Sequence, residues 1–285
     1  MRYENRQSRE GINVSKVNPF TQFVKLLVMA AVFVVLVVIV LQYFGGALAK
    51  RVPFKYEVQL MNSLDISLSE VEPSAEIVLY LNGLASRVAS DMPLSEDKQF
   101  NVHYNDEPVF NAFATIGGNL LFYRGLLEKM PNENALAMVM AHEIAHINHR
   151  DPISGLGGGV ASMIALSMIT GDTGFAGKLL TQAGTVTATQ FTRSMETSAD
   201  TAALSAVYGL YGHVNGASSL FDIMGDVQSD NKSAPDWLER FAATHPLSKD
   251  RVEAVAKMAQ RNGWSTSGEL TPLPESFIDW LETDS

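Results

Sequence analysis

The chain has 285 residues, 46% of them hydrophobic and 18% charged, a formal net charge of −10 and no cysteine. That is enough apolar chain for one large domain or two small ones, and it excludes a disordered polymer. Without cysteine there is no disulfide, no thiol nucleophile, no thiolate-held zinc and no cysteine-linked lipid anchor.

Charge and hydropathy are uneven along the chain. The first fifty residues carry Arg2, Arg6, Arg9, Lys16, Lys25 and Lys50 against Glu4 and Glu10, a net +4 that leaves −14 for residues 51–285. So acidic a main body repels phosphate backbones, and nucleic acid is a poor partner for it. Residues 1–25 read as a basic cytoplasmic tail. Residues 26–41, LLVMAAVFVVLVVIVL, contain no polar group, and the apolar run continues to Ala49 with few interruptions. A bilayer span needs about 20 residues, so 26–49 reads as a transmembrane anchor. The competing reading is a cleaved signal peptide, with ALA at 47–49 as its cleavage site; the apolar part is longer than the usual ~7–15 residue signal core. Five Lys/Arg precede the run, and Lys50, Arg51 and Lys55 follow it. That bias predicts a single-pass protein of the inner (cell) membrane, with its main domain on the periplasmic or other extracytoplasmic side.

Residues 50–72 read as a connector and 73–285 as the functional domain. Residues 74–92 place Ile77, Leu79, Tyr80, Leu84 and Val88 at helical spacing. Residues 100–106 alternate as a strand, and 108–125 read as strand, Gly-Gly-Asn turn, strand. From Asn132 the pattern turns helical. The expected fold class is α+β, mostly helical, with a small antiparallel sheet near the start of the domain.

The helix predicted from Asn132 to Asp151, with Pro152 ending it, holds His142, Glu143 and His146 as H-E-x-x-H. On a helix, residues four apart share a face, so two imidazoles there can hold one zinc ion. Glu143 then serves as the base that takes a proton from the attacking water. Six His and 17 Glu in the whole chain make a chance match rare. His149, nearer the helix end, reads as a cation favoured by the helix dipole rather than as a ligand. A catalytic zinc needs a third protein ligand. The candidates are His103, His213, His245 and the carboxylates of FTRSMETSADTAAL (191–204). There Glu196 and Asp200 lie four apart, either as ligand and supporter or as an exposed carboxylate pair beside Arg193.

Four segments carry a resemblance to a known family. NAFATIGGNLLFYRGLL (111–127), NENALAMVMAHEIAHINHR (132–150), RSMETSAD (193–200) and THPLSKDRV (244–252) resemble, in order and spacing, the gluzincins that include HtpX, the CAAX prenyl endopeptidases and the mitochondrial Oma-type protease. This is metallopeptidase family forty-eight, and the likeness is greatest to its periplasmic single-anchor branch. The chain departs from the pattern at Thr115-Ile116, Asp151 and Ser198. The resemblance implies a zincin-like domain with one Zn2+ per chain held by His142, His146 and Glu196, Glu143 as catalytic base and Asp200 supporting a ligand histidine. It implies that His245 gates the metal or stabilises an oxyanion, with a helix-capping turn as the alternative. Substrates by this analogy are unfolded or misassembled envelope proteins. A peptide is expected to add to a free edge of the strand containing Gly118, Asn119, Leu120 and Leu121. A second apolar stretch, 153–171, lies between the histidines and Glu196. One crossing there would separate the ligands by a ~30 Å hydrocarbon core, so it should pack on the domain or lie on the membrane, with a re-entrant hairpin as the alternative. The competing functions are a non-proteolytic holdase using the same groove and a small-peptide peptidase.

Overall fold

The computed structural model describes residues 18–63, 68, 72, 75–95, 98–156, 191–223, 241–242, 244–246 and 249–283. The basic tail up to residue 17 and most of the apolar stretch 153–171 lie outside them. Three helices come first: α1 (Pro19–Ala49), α2 (Phe54–Ser63) and α3 (Glu76–Ser90). At 1.5 Å per residue the 31-residue α1 is about 46 Å long. It shows Phe20, Leu26, Met29 and Phe33 to the outside. Among the described residues no helix is long and apolar enough to cross a membrane. Side chains at 34, 35, 37–39, 41–43 and 48 fall outside that description, so a crossing rests on the sequence.

Three short strands follow: β1 (Asn101–Asn105), β2 (Ala112–Thr115) and β3 (Asn119–Tyr123). The sheet is mixed rather than antiparallel, in the order β1-β3-β2. β2 and β3 are antiparallel across the 3-10 turn Ile116–Gly118, as the Gly-Gly-Asn signal predicts. Gly118 has φ 82°, and a Cβ there would fall 2.0 Å from the Gln99 carbonyl oxygen, so only glycine fits the turn. β1 is parallel to β3 because residues 106–111 carry the chain past β3 instead of turning back in a hairpin. The strand expected to offer a free edge is therefore the central one. Residues 119–121 are paired on both sides, and the edges of the sheet are β1 and β2.

After the single turn α4 (Arg124–Leu127) comes α5 (Glu133–His149), capped by Asn132, whose Oδ1 accepts from Ala135 N at 2.9 Å. Every residue of α5 from Glu133 to Ile147 is buried, because α3, α7 and the sheet surround it. The helix stops at Arg150, two residues earlier than Pro152 would require, and Arg150 adopts a left-handed conformation (φ 61°). Pro152 instead sits in the first turn of α6 (Asp151–Gly155), where its missing N–H costs nothing. α7 (Arg193–Tyr211) begins at Thr192 and ends at the left-handed Gly212. It runs along α5. α8 (Lys249–Asn262) packs on α7, and α9 (Phe277–Thr283) packs on α3.

Candidate metal centre

Three elements bring the chemistry together. α5 supplies His142, Glu143 and His146, α7 supplies Glu196 and Asp200, and the segment before α8 supplies His245. All are buried. His142 Nε2 and His146 Nε2 are 3.0 Å apart, His146 Nε2 lies 3.3 Å from Glu196 Oε1, and His142 Nε2 lies 3.6 Å from Glu196 Oε2. Zinc bonds of ~2.0–2.2 Å at tetrahedral angles separate ligand atoms by roughly 3.3–3.5 Å, so this donor set fits the ion in spacing and in kind. One donor atom from each of His142, His146, Glu196 and His245 falls within 4.8 Å of the others.

Carboxylates orient both ring systems from behind. His142 Nδ1 donates to Asp200 Oδ1 at 3.0 Å, and His146 Nδ1 donates to Asp151 Oδ2 at 3.0 Å. Phe191 stacks on His146 with ring centroids 3.9 Å apart. The field strongly favours a cation. Burial alone would lower the His142 pKa, but hydrogen bonds and charge from Asp200 and Glu196 outweigh it and raise the value to about 10. Burial likewise pushes Glu196 and Asp200 upward, yet their partners hold both below the ordinary carboxylate range. Burial also works against Asp151, which His146 and Lys50 nonetheless keep below its usual value.

The site is closed. His245, 1% exposed, donates from Nε2 to the Ala112 carbonyl oxygen at 3.1 Å, and its Nδ1 lies 3.3 Å from Glu196 Oε1. Its ring stacks on Phe241 and sits 3.6 Å from Glu143 Oε1. Glu143 Oε2 is buried with no hydrogen-bond partner. A cavity of about 20 Å³ lined by Met138, His142, Glu143, Phe221, Phe241 and Arg251 holds roughly one water and no peptide.

Of the other histidines considered, none joins the cluster. His103 pairs with Asn119, and His213 meets the Glu269 carbonyl. Burial lowers the pKa of His149, which opposes the dipole-favoured cation expected there. Glu196 and Asp200 face inward rather than lying exposed beside Arg193. Sequence reasoning leaves Arg251, Asp151 and Phe191 without a role. Arg251 grips Asp200 through Nε at 2.7 Å and Nη2 at 2.8 Å, approaches Glu196 Oε2 at 2.5 Å, and donates to the Pro246 carbonyl at 3.1 Å. A buried pair of carboxylates needs such a cation. Its place in the THPLSKDRV segment was the available signal, but nothing local says which acid it meets.

Two helical histidines and a carboxylate from a second helix, with Glu143 beside them, form a cluster able to hold a metal ion, as a metal-dependent peptidase requires. Residues 79–259 match the model of Peptidase family M48, and the chain belongs to this family of zinc metallopeptidases. It is 28% identical over 212 residues to the mitochondrial metalloendopeptidase OMA1 of Schizosaccharomyces pombe, covering 71% of this chain and 61% of the relative. It is also 28% identical over 196 residues to the beta-barrel assembly-enhancing protease of Escherichia coli, covering 64% and 39%. To the putative beta-barrel assembly-enhancing protease of Vibrio cholerae it is 29% identical over 162 residues, covering 53% and 33%. The chain thus spans less than two thirds of the length of these curated relatives.

Proposed function

We propose that the chain is a membrane-anchored zinc endopeptidase that cleaves unfolded or misassembled envelope proteins. His142, His146 and Glu196 hold the ion, which when bound supplies a Lewis acid for the scissile carbonyl and for a water. Glu143 removes the proton of the attacking water at its unpartnered Oε2 and returns a proton to the leaving amine. Asp200 fixes the Nδ1 proton of His142, so that Nε2 keeps its lone pair for the ion. The observation that carries this reading is the conjunction of a zinc-sized donor set with a buried, unpartnered carboxylate oxygen beside it.

Of the two edge strands, β2 is the one beside the metal centre, and a substrate strand would pair there. Tyr123 N donates to the Asn111 carbonyl, and the β2–β3 register then turns the peptide groups of Ala112 and Ala114 away from β3. The Ala112 carbonyl is the one that His245 now occupies. His245 accordingly acts as a gate, closing the metal and the strand edge with one imidazole. The substrate class is argued from the relatives, two of which carry barrel assembly in their names. For membrane attachment we rely on the apolar run at 26–49 and on a helix longer than a ~30 Å hydrocarbon core. The charge bias supports an extracytoplasmic side for the domain 73–285. A holdase using the same groove is disfavoured by the intact Glu143. The test is casein cleavage by the full chain in detergent with zinc. Glu143→Gln should abolish cleavage and retain one zinc per chain. Near-normal cleavage by that variant would overturn the mechanism, and lack of cleavage by the wild type would favour the holdase.

A further inference from the structure

The carboxylate behind His146 is tied to the start of the chain. Asp151 Oδ2 accepts from His146 Nδ1, and Asp151 Oδ1 accepts from Lys50 Nζ at 2.9 Å. Lys50 is the residue that follows α1. Asp151 is 1% exposed and His146 fully buried, so the chain of contacts runs from the end of α1 directly into the metal centre. A continuous helix could not build it. Five residues on, a side chain points about 140° away around the axis. The left-handed Arg150 reverses the chain so that Asp151 turns back onto His146.

The connector holds that reversal. Arg150 donates to the Val52 carbonyl at 2.7 Å, pairs with Glu57 and lies over the Phe54 ring at 5.6 Å. A left-handed arginine costs on the order of 1 kcal/mol and persists only where its surroundings impose it. The last turns of α1 press on the same place. A Cβ on Gly46 would lie 3.0 Å from the carbonyl oxygen and Oγ of Ser154, so the glycine lets α1 seat directly on α6.

We infer that Asp151 is a positioning residue for the zinc ligand His146, and that Lys50 is its counter-charge, so that the seating of α1 sets how firmly the metal is held. The inference rests on the zinc reading above. A carboxylate accepting Nδ1–H fixes the tautomer that leaves Nε2 free for the ion and makes that nitrogen a better donor. Phe191 covers the face of the ring, and Asp151 sets its angle in the plane.

The test is zinc affinity of the full chain in detergent, measured by competition with a chromophoric chelator. Visible absorption of the cobalt-substituted protein and thermal unfolding of the metal-free protein accompany it. Asp151→Asn should weaken zinc binding about tenfold or more and shift the cobalt bands. Lys50→Met should weaken it several-fold, and Gly46→Val, which unseats α1 without removing a charge, should act in the same direction. His142→Ala serves as the ligand control. Affinity of Asp151→Asn within twofold of wild type, beside a control that loses zinc, overturns the inference and leaves the zinc reading intact. Unchanged cobalt bands with only a lower unfolding temperature assign Asp151 a purely structural role and also overturn it. Should Asp151→Asn fail to fold, Lys50→Met decides, and wild-type affinity in that variant refutes the coupling. Failure of the wild-type chain to bind zinc overturns both readings together.

Discussion

Replacing Arg251 with methionine should destabilise the metal-free protein more than any surface change could. The guanidinium is 4% exposed, and its partners Glu196 and Asp200 are 0% and 2% exposed. Methionine fills a similar volume but removes the guanidinium that both carboxylates share, leaving them only the ring of His142 between them. Breaking a buried ion pair from one side costs about 3–5 kcal/mol. A domain of this size loses roughly 2–4 °C of unfolding temperature per kcal/mol, so the midpoint should fall by about 6–20 °C. Calorimetry of the full chain in detergent after chelation reads this directly. Arg251→Lys keeps the charge and loses the two-pronged grip on Asp200, so it should recover only part of the loss. A fall below about 3 °C in Arg251→Met would show that this residue does not hold Asp200 ionised, and the electrostatic account of its role would fail.

Glu133 provides a pH prediction away from the metal. Burial pushes its carboxyl up, but Arg87, Tyr211 and Tyr80 donate to it and hold its pKa below the ordinary value of 4.5. Its stabilising contribution is therefore fully present above that value and is lost as pH falls through the depressed folded one. Glu133→Gln should lower the unfolding temperature at pH 7 by a few degrees, with the gap to wild type closing below about pH 4; a gap independent of pH would contradict the assignment. His245→Ala should raise casein cleavage or self-cleavage without lowering zinc content. Loss of activity would point instead to an oxyanion role, and no change would leave His245 a turn element. Reporter fusions after residues 60 and 285 should both report the extracytoplasmic side, and a split result would mean that 153–171 crosses the membrane.

The parts legible in the sequence are those whose geometry is local. His142 and His146 share a face because a helix repeats every 3.6 residues, and Asn132, Gly118 and the Gly-Gly-Asn turn each carry a one-residue signature. Glu196 is separated from the histidines by fifty residues. Its spacing to Asp200 fits an exposed pair as well as a ligand, and only the family resemblance distinguishes them. The pairing of the sheet is hidden for the same reason. Three short strands with a turn signal between the last two suggest a meander, and nothing in residues 106–111 announces a parallel crossover. The edges of the sheet are consequently β1 and β2, and β3 lies between them.

The end of α5 shows most clearly how local rules give way to packing. Pro152 predicts a helix reaching Asp151, and a regular helix would carry Asp151 away from the metal. The chain breaks at Arg150 instead, in a conformation arginine does not favour, because the Val52 carbonyl, Glu57 and Phe54 all meet its side chain. No window of residues around 150 contains those partners. They lie about a hundred positions earlier, in the segment that follows α1. What looks like an ordinary helix stop is thus set by a tertiary contact, and the same contact aims Asp151 at His146. A change in the connector should therefore be felt at the metal before it is felt in the core, since the core of α5 is packed on all sides by α3, α7 and the sheet, whereas the kink is held from the connector and the end of α1.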